Sequence, residues 1–73
     1  MTKYDSVARF RDAVGYENLA SGHDFRAGLN ESLAHAIGIP EAERILHAEI
    51  AVMHGQIAAK YRALGSVIQR AVD

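Results

Sequence analysis

Cysteine is absent from this 73-residue chain, and so is tryptophan. Without cysteine there is no disulfide and no thiolate metal site to reinforce a small core. Proline occurs once, so a helix can be broken by proline at a single place. No apolar run approaches the ~18 residues that a membrane-spanning helix needs. The first residues also lack the basic flank, apolar stretch and cleavage site of a secretory signal. A cytoplasmic location is the resulting expectation. Positive charge is not in excess either: the net charge is −1 and the pI is near 6.4. That is the wrong balance for a protein whose affinity comes from phosphate contacts.

Catalytic patterns are missing as well. The glycines stand singly, so they form no phosphate-cradling loop, and neither Gly-x-Ser-x-Gly nor His-Glu-x-x-His occurs. No enzymatic activity, resident metal or cofactor is expected.

What is present reads as helix. Hydrophobic residues make up 49% of the chain and charged residues 23%, the composition of a folded domain. The length allows one domain, residues 1–73, and a domain of this size is marginal as a monomer. Gly38-Ile39-Pro40 reads as the end of one helix and the start of the next, with Glu41 and Glu43 placed to favour the new helix dipole. From there to about residue 72 the row Leu46, Ile50, Met53, Ile57, Tyr61, Leu64, Ile68 and Ala71 recurs at spacings of four and three. Such a row is a seam that packs on another helix. A second row, Ala51, Gly55, Ala59 and Ala63, repeats every fourth residue and would let a helix approach closely. Gly55 and Gly65 are the weak points of this long helix.

Upstream, two shorter helices are expected. One spans about residues 4–14, with Val7, Phe10 and Val14 as its apolar stripe and Thr2 or Ser6 as its cap. The other spans about residues 25–37, capped by Asp24. Residues 15–23, with Asn18, Ser21 and Gly22, read as a connecting loop. The expected fold is therefore all-α: two short N-terminal helices packed on one long C-terminal helix, a helical bundle completed by self-association as a homodimer or higher assembly. Acidic residues near 41–49 and basic ones near 60–70 would complement each other in an antiparallel pairing of long helices, or each simply complement the helix dipole.

Three groups of residues bear on function. Tyr16, Leu19 and Phe25 lie outside the expected stripes and are candidates to face a partner protein. Glu43, His47, His54 and Tyr61 share one edge of the long helix, where Glu and His spacing suits either a divalent metal or a plain boundary row. If long helices pair antiparallel, His54 would meet its own copy. Glu31 and His35 form a similar pair on a solvated face. A small anionic ligand could also be held by arginines at a junction between subunits.

Residues Leu33-Ala34-His35-Ala36-Ile37-Gly38-Ile39-Pro40 resemble the turn of a helix-turn-helix DNA-binding family. That resemblance implies a regulator reading DNA through the following helix. That helix opens Glu41-Ala42-Glu43 and carries Arg44 where the family pattern has an apolar residue. The composition favours a non-catalytic regulator, adaptor or inhibitor acting by protein–protein contact, with neither nucleic acid nor membrane as partner.

Overall fold

Gly38 and Pro40 divide the chain into two helices of equal length. The computed structural model describes the backbone of residues 3–72 and the side chains of residues 12–68 and 70. The expected stripe at Val7 and Phe10, the caps Thr2 and Ser6, and Ala71 of the seam lie outside the described side chains. Helix α1 is Lys3–Ala34 and helix α2 is Glu41–Val72, each of 32 residues. They run antiparallel along a rod 56 × 13 × 11 Å in extent.

The turn follows from local chemistry. The N–H groups of His35 and Ala36 donate to the carbonyls of Ser32 and Leu33, each at 3.2 Å, which tightens the end of α1. Gly38 then takes φ 92°, a left-handed conformation that costs glycine nothing. The Pro40 carbonyl accepts from the N–H groups of Glu43 and Arg44 at 3.0 Å. Pro40 therefore caps α2 from just outside it, with Glu41 and Glu43 in the first turn.

Two expectations need correction. The N-terminal half is one helix, not two, and residues 15–23 are helical throughout. Asp24 sits in mid-helix and caps nothing. Gly15, Gly22 and Gly28 each cost a helix up to about 1 kcal/mol. The packing of α1 along α2 offsets that cost, because tertiary contact supplies most of a helix's stability in a protein.

The packing row of α1 is Ala13, Tyr16, Ala20, His23, Ala27, Asn30 and Ala34, at alternating spacings of three and four. Its counterpart on α2 is Arg44, His47, Ala51, His54, Ala58, Tyr61, Gly65 and Ile68. Both are uninterrupted heptad seams. Among the described residues the buried apolar set is Ala13, Ala20, Ala51, Ala58 and Ile68, and no large side chain is fully buried. Apart from Ile68, the interior of the hairpin is thus built from alanine, Gly65 and polar side chains. Gly65 marks a close approach: a Cβ there would lie 3.3 Å from the Ala13 carbonyl oxygen.

Candidate interaction surface

Antiparallel seams put three polar layers on one side of the hairpin axis and the small residues on the other. The first layer pairs Tyr16 with Tyr61, their rings stacked at 5.8 Å. The second brings His23 Nδ1 within 2.8 Å of His54 Nδ1, and Tyr61 stacks on His23 at 5.6 Å. The third joins His47 Nδ1 to Asn30 Oδ1 at 2.9 Å, with the ring N–H donating and the amide oxygen accepting. Within the chain, His54 therefore meets His23.

Heptad geometry fixes what flanks these layers. Beside the small residues run Glu17, Asp24 and Glu31 of α1 and Ala48, Gly55 and Arg62 of α2. Arg62 bridges the two helices there, donating from Nη2 to Asp24 at 2.6 Å and from Nε to Glu17 at 3.3 Å. The hydrogen bond to Asp24 is the main reason its guanidinium holds its proton more firmly than usual. Shallow hollows along this charged side are lined by Ala27, Gly28, Glu31, Ala51 and Val52, and nearer the turn by Ala34, His35, Glu41, Arg44, Ile45 and Ala48.

On the opposite side, next to the polar layers, run Leu19, Arg26 and Leu33 of α1 and Ile50, Ile57 and Leu64 of α2. Leu29, Leu46, Met53 and Val67 border them farther out, and Phe25 stands on the back of α1 beside Leu29. The apolar members are all exposed, from 38% for Leu33, Ile50 and Ile57 to 68% for Phe25. The large apolar side chains therefore lie outside the hairpin and mostly on one side of it. Val14, Ile45 and Val52 are exposed apolar residues on the charged side.

The expected seam on α2 divides accordingly. Tyr61 and Ile68 pack inside the hairpin, whereas Leu46, Ile50, Met53, Ile57 and Leu64 remain open. The cause lies in the spacing: Met53, Ile57 and Tyr61 are separated by two consecutive fours, which step the row around the helix from the outer face to the interior. The small-residue row divides too. Ala51 is buried, Gly55 has open space where its Cβ would be, and Ala59 and Ala63 are exposed. Within the hairpin the close-packing row is instead Ala51, Ala58 and Gly65, every seventh residue.

Of the three residues expected to face a partner, Tyr16 is taken up by Tyr61, while Leu19 and Phe25 are exposed. Glu43, His47 and His54 do not converge, since each histidine turns to a different residue of α1. Among the described residues no group of three or more such side chains could hold a metal ion. Glu31 and His35 form an exposed pair one helical turn apart, at 2.9 Å. The helices also lie side by side along their length, unlike the crossed pair of a helix-turn-helix. Among the described residues no helix is long and apolar enough to cross a membrane. The chain matches no protein-family model, no curated protein and no solved structure.

Proposed function

We propose that this chain is a non-catalytic helical binding protein that acts as a homo-oligomer, with the outer apolar side of the hairpin as its self-association surface. One observation carries the reading: apart from Ile68, the hairpin fills its interior with alanines, Gly65 and polar side chains, and its leucines and most of its isoleucines lie outside. Monomeric proteins rarely expose a contiguous apolar patch of more than a few hundred Å². The accessible surface is 5297 Å², whereas a compact monomer of 7.9 kDa is expected to expose about 4,400 Å². The excess, about 900 Å², is close to what one partner contributes to a standard interface.

Two copies joined on this surface form a four-helix arrangement. Leu46, Ile50, Met53, Ile57 and Leu64 of each copy would supply the contact, with Leu19, Leu29 and Leu33 beside them. Phe25, on the back of α1, stays outside that contact and is the residue best placed to anchor a different protein. The role is then that of a regulator, adaptor or inhibitor.

Sedimentation equilibrium of the full chain at neutral pH tests the reading. A mass of twice 7.9 kDa or more is expected. A monomer across the micromolar range overturns it.

A further inference from the structure

The His23–His54 contact sits where self-association would seal it. Both rings belong to the polar layers beside Ile50 and Ile57, on the floor of the proposed association surface. Both are only half-buried in the single hairpin, so water reaches them until a second copy arrives.

Two ring nitrogens 2.8 Å apart have room for one proton between them. One Nδ1 donates and the other must offer its lone pair. The donor ring can take up another proton on its outer nitrogen and keep the bond. The acceptor ring cannot, because its new N–H would point at the N–H of its partner. The contact thus admits one imidazolium and refuses the second, and a charge buried there without a counter-charge is itself unfavourable.

The groups around the pair offer little relief. On α2 the facing ring is Tyr61, which stacks on His23 and offers no carboxylate. On α1 the adjacent Asp24 is held by Arg62 on the opposite edge of the hairpin. Arg26, one turn on from His23, adds positive charge. Among the described residues no carboxylate is hydrogen-bonded to either ring.

We propose that self-association of this chain is linked to protons through the His23–His54 pair, so that acid releases the assembly; this rests on the self-association reading above. In a separated chain the half-buried pair faces water, and parting of the rings there would let both charge, as an imidazole ordinarily does near pH ~6.5. The assembled state then binds fewer protons than the separated one. Association is therefore at full strength above the imidazole range and weakens as pH falls through it. Each refused proton is worth up to about tenfold in affinity per pH unit, and a dimer contains two such pairs.

The molecule supplies its own control. The Asn30–His47 layer has the same geometry, but the amide oxygen accepts from a neutral or a charged ring alike. His23→Asn would convert the sensitive layer into the tolerant kind, and His54→Asn would do so from the other helix.

The test is the dissociation constant of the full chain by sedimentation at pH 7.5, 6.5 and 5.5, with helicity followed by circular dichroism. Wild type should weaken by at least about tenfold between pH 7.5 and 5.5. His23→Asn or His54→Asn should flatten that response, and His35→Asn, altered only at the exposed pair, should keep it. An equal dissociation constant at all three pH values in wild type overturns the proton linkage while leaving self-association intact. So does a folded His23→Asn or His54→Asn that keeps the full response. A wild-type monomer at pH 7.5 overturns the self-association reading itself and this proposal with it.

Discussion

The inside of the hairpin and its outer apolar side invert the usual division of labour. Inside, the contacts are Ala13 with Gly65 and the polar pairs His23–His54 and Asn30–His47. Outside stand Leu19, Leu33, Ile50, Ile57 and Leu64. Small residues bring two backbones close but take little apolar area out of water, whereas one buried leucine or isoleucine is worth about 1.5–3 kcal/mol. Close fit and polar pairing therefore set the register of the hairpin, and the greater hydrophobic gain is not taken up within it. Shape is specified within one chain; under the proposed self-association, stability would be completed between chains.

The strongest way to break that contrast is a charge on each side. Ala58 is fully buried, and Ala58→Asp should cost about 3–5 kcal/mol, as an unpaired charge in an interior does. The measurable result is loss of the helical circular-dichroism signal at every concentration. Ile57→Asp, one residue away but on the outer side, should behave differently. It should weaken association by about 100-fold or more, the scale of losing a central interface contact, yet return toward wild-type helicity at high concentration. If Ile57→Asp and Ala58→Asp unfold alike, the separation of inside from outside is wrong.

A finer contrast uses the two glycines of α2. Gly55 has nothing within 4 Å of an added Cβ, so Gly55→Ala should gain the helix-propensity difference of about 1 kcal/mol. For a domain of this size that raises the melting midpoint by about 4–8 °C. At Gly65 the same methyl meets the Ala13 carbonyl oxygen at 3.3 Å, and Gly65→Ala should gain less or turn destabilising. Equal gains at both positions would mean that the helices do not approach closely at Gly65.

The smallest effect belongs to the charged side. Arg62→Ala removes the ion pairs to Asp24 and Glu17, all three being well exposed. Its melting midpoint should fall by less than Gly55→Ala raises it, and the difference should fade in high salt, as surface pairs do.

The all-helical class was legible in the sequence because Gly38, Pro40 and the acidic residues after them act locally. The continuity of α1 was not. Gly15, Asn18, Ser21 and Gly22 all speak for a loop when each residue is weighed alone, and only the heptad Ala13, Tyr16, Ala20 and His23 carries the helix through them. That heptad is hard to see because a search for periodicity weights leucine and isoleucine, and this seam has neither on α1. For the same reason the row from Leu46 to Ile68 looked like one surface although it crosses between two. The layer His23–His54 joins residues far apart in sequence, so only the register of the hairpin reveals it.

Equal helices joined by a tight turn return the chain to the end where it began, with residues 3 and 72 at one end and Gly38 at the other. A load drawing those helix ends apart would meet the interface crosswise, one layer after another, beginning near Ala13, Gly65 and Ile68. A load along the rod would meet every layer at once. The same hairpin is therefore weak when unzipped and strong when sheared, and the direction of pull, more than its size, decides which behaviour appears.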